Sequence, residues 1–207
     1  MTRTRIAVLD YGIGNLRSAQ KALEHVGADA VLTDDPAVAS AADAVVLPGV
    51  GAFGACMDAL RSSGLEPAVR DAVASGRPFI GICVGMQMLF GGSDEDPQHT
   101  GLGIIPGTVR WIPPGVKRPQ MQWNQLHLLK PADPIFAGLT EAATWMYFVH
   151  SLHGVPDDPA DVVATVRYGS DLNVAFRRGN VFAVQFHPEK SAAAGLGLLA
   201  NFVGAAR

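Results

Sequence analysis

The stretch PFIGICVGMQ, residues 78–87, decides the fold. After Pro78 comes a short apolar run, Phe79-Ile80-Gly81-Ile82, of strand length and with no polar face. From Val84 the apolar texture continues through VGMQMLF and reads as the start of a helix. Cys83 stands between the two, flanked by Gly81 and Gly85. A chain that turns sharply from strand into helix brings two backbones so close that a side chain at either glycine would collide. The same turn lifts its apex residue above the C-terminal edge of a sheet, so the pattern predicts a nucleophile elbow with Cys83 at the apex. Unpaired N–H groups and the partial positive charge of a helix N-terminus would favour thiolate there.

Working outward, RIAVLD (5–10), ADAVLT (28–33) and ADAVVLPG (42–49) read as further buried strands, and NLRSAQKALEHVG (15–27) and residues 54–75 as helical segments between them. Near-continuous apolar strands separated by helices require a parallel sheet covered on both faces. From Ile104 the texture changes to strands separated by turn residues. IIPGTVRWI, WNQLHLL, ATWMYFV, DVVATVRY and LNVAFRRGNVFAVQF are these strands, the last a hairpin across Arg178 to Asn180. Residues 91–101 and 112–119 read as loops too short to link domains. The expected fold class is therefore α/β, a central, mostly parallel but mixed sheet flanked by helices, with 1–207 as a single domain.

Composition narrows the function classes. The 207 residues are 48% hydrophobic and 17% charged, with a formal net charge of −3. Without a basic surplus or a block of like charge, nothing favours nucleic acid or an anionic membrane. No apolar run reaches membrane-spanning length or resembles a signal peptide, so a cytoplasmic location is expected. Two cysteines at unrelated spacing suggest reduced thiols, and the absence of a paired Cys/His set argues against a metal. A literal G-x-G-x-x-G occurs at Gly49, Gly51 and Gly54. It lacks the acidic residue in a following strand that a dinucleotide site uses, so no cofactor is expected.

A nucleophilic cysteine needs a base, and VFAVQFHPEKS (181–191) supplies one. If the apolar strand runs out to His187, then Glu189, two residues on, shares its side and meets the imidazole. Thiol, imidazole and orienting carboxylate make a nucleophilic triad once this strand lies parallel beside 78–82. Cys56, on an amphipathic helical pattern without a special turn, reads as a packed core residue.

GICVGMQ together with FHPEKS resembles the class I (triad) glutamine amidotransferases, whose fold is flavodoxin-like. DYGIGN (10–15), PGVG (48–51), WNQL (123–126) and YFVHS (147–151) are similar to the glutaminase subunits of imidazole glycerol phosphate synthases. The resemblance spans essentially the whole chain. It implies that Cys83 attacks the side-chain amide of L-glutamine, His187 carries the proton to departing ammonia, and Glu189 orients His187. It also implies a (β/α)₈-barrel cyclase as partner in a heterodimer, receiving the ammonia for histidine biosynthesis.

Oxyanion stabilisation needs preorganised N–H donors. The candidates are Val84 and the loop Gly49, Val50, Gly51, whose glycines leave the Gly49–Val50 peptide free to turn toward or away from the site. Gln87, one turn past Cys83, faces the same side and would bond the substrate. By similarity Tyr147, His150 and Ser151, at a strand end, border the glutamine pocket or the interface, while Asn15, Trp123 and Lys190 face the partner. Gln120 and Gln122 stand where the family usually has His and Gly. Two other readings are the same triad serving another acceptor synthase, such as that of pyridoxal phosphate synthesis, and a non-catalytic α/β binding or regulatory module.

Overall fold

The computed structural model describes residues 3–206. Its first half runs β1 (Arg5–Leu9), α1 (Leu16–His25), β2 (Asp29–Thr33), α2 (Pro36–Ser40), β3 (Ala44–Gly49), α3 (Phe53–Ser62), α4 (Glu66–Ala74), β4 (Phe79–Cys83) and α5 (Val84–Met88). Strands then dominate: β5 (Gly107–Trp111), β6 (Gln120–Leu128), β7 (Trp145–His150), β8 (Leu152–Pro156), β9 (Val162–Tyr168), β10 (Ser170–Arg178) and β11 (Val181–Val184). Helix α6 (Ala192–Gly204) closes the described chain.

Nine strands form one sheet in the order β2-β1-β3-β4-β11-β10-β9-β6-β7, and β5 pairs with β8 in a separate two-stranded sheet. The first five strands are mutually parallel and the pairings from β11 onward are antiparallel. The expected mixed α/β sheet is what forms. Every residue of β3, β4 and β11 is buried, as strands sandwiched between helices must be. Gly179, at φ 58°, takes the first central position of the two-residue turn joining β10 to β11, where a primed turn needs positive φ.

Several boundaries differ from the sequence reading, each for a local reason. Residues 54–75 are two helices, because Gly64 at φ 73° ends α3 before Glu66 starts α4. Helix α2 escapes notice at five residues, although Asp35 caps it by accepting the Ala37 N–H at 2.8 Å. The loop 91–101 makes strand-like bridges at Gly92 and Ser93, and β8 adds a strand where none was expected. Gly154 in β8 is glycine for room: a Cβ there would lie 2.5 Å from Phe90 and 2.7 Å from Phe176, which pack edge to face.

Register prepares the site. Gly49 of β3 sits opposite Cys83 of β4, and Ile82 opposite Val184 of β11. The elbow and the chain leaving β11 thus emerge side by side at the carboxyl ends of adjacent parallel strands, where open α/β sheets bind ligands.

Candidate active site

Cys83 adopts φ 57°, ψ −115°, a conformation costing a non-glycine residue about 1–3 kcal/mol. Close packing enforces it. A Cβ on Gly85 would overlap the Leu47 carbonyl oxygen, and one on Gly81 would come within 2.9 Å of the Gly85 oxygen. Gly49 is glycine for the same reason: its Cβ would stand 2.6 Å from the Gly85 nitrogen. Gly51, by contrast, uses its freedom at φ 87°. Helix α5 has only five residues, all buried, so the aligned-dipole contribution expected from a longer helix is small.

His187 and Glu189 meet, but not by the extended route. The β11 ladder ends at Val184, and Pro188–Lys190 forms a 3₁₀ turn that folds Glu189 back onto the ring. His187 Nδ1 donates to Glu189 Oε1 at 2.8 Å, with the two side chains 3% and 2% exposed. Ser191 braces the turn, its hydroxyl donating to the His187 carbonyl at 2.6 Å and accepting the Tyr147 N–H at 2.9 Å. Burial presses the His187 pKa down, but contact with Cys83 and with Glu189 outweighs it and holds the ring at about 9. The imidazole is therefore protonated at neutral pH, beside Cys83 and the Glu189 carboxylate.

Cys83 and His187 open onto one cleft of about 280 Å³, walled also by Val50, Gly51, Val84, Gln87, His150 and Ser151. Gly49 lies just behind it, bordering a small void with Asn15, Val50, His187 and Glu189. Three placements differ from expectation. Gln87 spends its amide on the buried Gln185 Oε1, at 3.0 Å, because both side chains are shut away from water and must be satisfied internally. Tyr147 lies within β7 rather than at its end, its ring between Trp123 and His187 at centroid distances of 6.3 and 6.4 Å. Asn15 neither caps α1 nor stands free for a partner: its Nδ2 donates to Glu189 Oε1 at 3.4 Å. Trp123 is 46% exposed and Lys190 is exposed on the 3₁₀ turn.

Sequence reasoning missed Gln185, whose Nε2 reaches Cys83 Sγ at 3.8 Å, and Glu95, which lines the cleft while accepting the Phe53 N–H at 2.8 Å. Only the acidic run SDED hinted at the second, and nothing local marked the first. Among the described residues no group of three His, Cys, Asp or Glu side chains could hold a metal, and no helix is long and apolar enough to cross a membrane.

His150 shows how tightly the cleft wall is built. Its Nδ1 donates to the Leu152 carbonyl at 2.6 Å and its Nε2 faces the Gln120 amide at 2.9 Å. Turning the Gln120 nitrogen toward Nε2 also gives the otherwise unpartnered Nε2 of Gln120 its acceptor, as a neutral imidazole requires. Burial pushes the His150 pKa down to about 4. Because the unfolded chain takes up this proton near pH 6.5, His150 contributes stability above that pH and loses it as pH falls toward 4. The loss is up to ~3 kcal/mol. His150→Asn is expected to flatten the melting-temperature profile between pH 7 and pH 4.5 relative to wild type. Parallel profiles for the two proteins would refute a neutral His150.

A family model, glutamine amidotransferase class-I, matches residues 7–205. The chain is 52% identical over 206 residues to the imidazole glycerol phosphate synthase subunit HisH of Synechococcus sp. (strain JA-3-3Ab), covering 98% of this chain and 94% of that one. It is 50% identical to the HisH of Methylococcus capsulatus, covering 96% and 95%. A solved glutamine amidotransferase superposes with a TM-score of 0.77 at 25% identity, covering 97% of this chain and 98% of that one. The PurLQS structure from Thermotoga maritima, at TM-score 0.72 and 20% identity over 99% and 97%, shares the fold.

Proposed function

The chain belongs to the class-I glutamine amidotransferases as a HisH-type glutaminase subunit of imidazole glycerol phosphate synthase, and on that premise we propose how its cleft works. The observation that carries the reading is one cleft at the ends of adjacent parallel strands, lined by both Cys83 and His187, with the His187 ring held by Glu189. Glutamine sits with its side-chain amide against Cys83, whose thiolate attacks the amide carbon. The resulting oxyanion draws on the Val84 N–H and an N–H of the 49–51 loop, each such donor being worth ~10² to 10³ in rate. His187, already protonated, hands its proton to the departing ammonia and leaves a thioester. Water, relieved of a proton by the same ring, then releases glutamate.

Glu189 keeps the His187 ring oriented, and Asn15 steadies Glu189 by donating to the same Oε1 that holds the ring. Glu95 supplies a negative charge suited to the substrate's α-ammonium group, and His150 and Ser151 wall the pocket. The ammonia passes to a (β/α)₈-barrel cyclase partner. Met121, Trp123 and Trp145 suit that docking, since they line one face of the β6–β7 edge at 63%, 46% and 47% exposure. Lys190 stands ready for a partner carboxylate. The whole chain acts as one domain, in the cytoplasm.

A glutamate-release assay tests this directly. Release is expected to be slow for the isolated chain and strongly stimulated by the barrel cyclase with its nucleotide ligand. No release in either condition, or stimulation only by a different synthase, would overturn it.

A further inference from the structure

Strand β3 lies between β1 and β4, so its backbone groups alternate between the two neighbours. The Val45 N–H donates to Pro78, on the β4 side, which fixes the phase. By that alternation the peptide groups of Gly49 face Cys83 and Val84, and the carbonyl of Pro48 faces the other way. There Tyr11, just past the end of β1, donates its hydroxyl to the Pro48 oxygen at 2.6 Å. Two residues on, the thiol of Cys56 in α3 donates to the Val50 oxygen at 3.2 Å. Both anchoring side chains are buried, and neither lines the cleft.

We propose that Tyr11 and Cys56 are positioning residues that clamp the carbonyls on either side of the Gly49–Val50 peptide and so hold the oxyanion loop in its resting orientation. Peptide units are planar, so fixing the Pro48 oxygen also fixes the Gly49 N–H, and fixing the Val50 oxygen fixes the Gly51 N–H. The peptide between them is the unit left to rotate. While both clamps hold, the strand-like alternation persists, so the Gly49 carbonyl faces the side of the nucleophile and the Val50 N–H of the same peptide faces away from it. A carbonyl there repels the oxyanion that an N–H would stabilise. Burial keeps both the Tyr11 hydroxyl and the Cys56 thiol protonated, so each remains a donor at neutral pH. Cys56 thereby acquires a task beyond core packing, in keeping with a thiol aimed at a backbone oxygen.

The inference rests on the glutaminase reading above, and its test separates the two. Tyr11→Phe and Cys56→Ala each remove one donor with little change of shape. Each is expected to raise glutamate release by the isolated chain about fivefold, the worth of one hydrogen bond. Release in the complex with cyclase and nucleotide should stay within about twofold of wild type, so the stimulation ratio falls. Cys56→Ser, which retains a donor, should restore the wild-type ratio, whereas a purely packing role would leave it no better than alanine. Melting temperatures identify any variant whose fold is compromised, and the serine variant then decides. An unchanged ratio in folded variants, or an equal fall in both conditions, overturns the clamp while leaving the glutaminase reading intact. A wild-type complex that releases no glutamate overturns both.

Discussion

Cys83→Ala is expected to lower glutamine hydrolysis by the partnered enzyme by at least ~10³-fold, because removing the nucleophile of a coupled triad removes most of what the other members contribute. The loss should lie in kcat, since the amide binds where the thiol only touches it in the ground state. Supplying free ammonia bypasses the cleft, so synthesis by the complex from ammonia should persist. That separation distinguishes a dead nucleophile from a collapsed interface. Folding gives a second readout, because φ 57° at this position strains alanine as much as cysteine. Cys83→Gly relieves that strain and should melt higher than Cys83→Ala, the difference corresponding to about 1–2 kcal/mol. Retained hydrolysis in folded Cys83→Ala would remove the catalytic assignment, and equal melting of the alanine and glycine variants would remove the strain.

How much of this was legible beforehand depends on whether the signal was local. Strands β1, β3 and β4 announce themselves because both their faces are covered, leaving unbroken apolar runs. The elbow was legible because two glycines flanking a cysteine have few other uses at that spacing, and FHPEKS because a histidine and a carboxylate two apart are close in almost any backbone. Their true geometry was not. A 3₁₀ turn and an extended strand both bring Glu189 to His187, and the choice is made by Ser191 bonding across to Tyr147, forty-four residues away. The end of α5 was equally hidden: with Val84 to Met88 buried on every side, no polar face marks where the helix stops. Gln185, Glu95 and the Asn15 contact depend on which strands neighbour which, information that no short window contains. Tyr11 and Cys56 belong to the same class, since each acts on a loop reached only through the sheet order.

The glycine at 85 sets the second large effect. Gly85→Ala would drive a Cβ into the Leu47 carbonyl oxygen, a backbone atom in the middle of a buried strand that has no side-chain rotamer to yield. Either β3 or the elbow must move, and both carry the site, because Gly49 and Cys83 are opposed in register at that point. A displacement of about 1 Å at the nucleophile costs ~10²-fold in turnover, so kcat for glutamine should fall by roughly that factor even in protein that still folds. Stability should fall as well, by about 1–3 kcal/mol for an overpacked core site. Gly204→Ala provides the contrast, since nothing lies within 4 Å of its Cβ at the end of α6. There alanine should be neutral or stabilising, by about 0.4–1 kcal/mol through the unfolded chain. Measured side by side, wild-type kcat and melting in Gly85→Ala would mean that strand and elbow are not in contact as described, and the placement of Cys83 would fall with them.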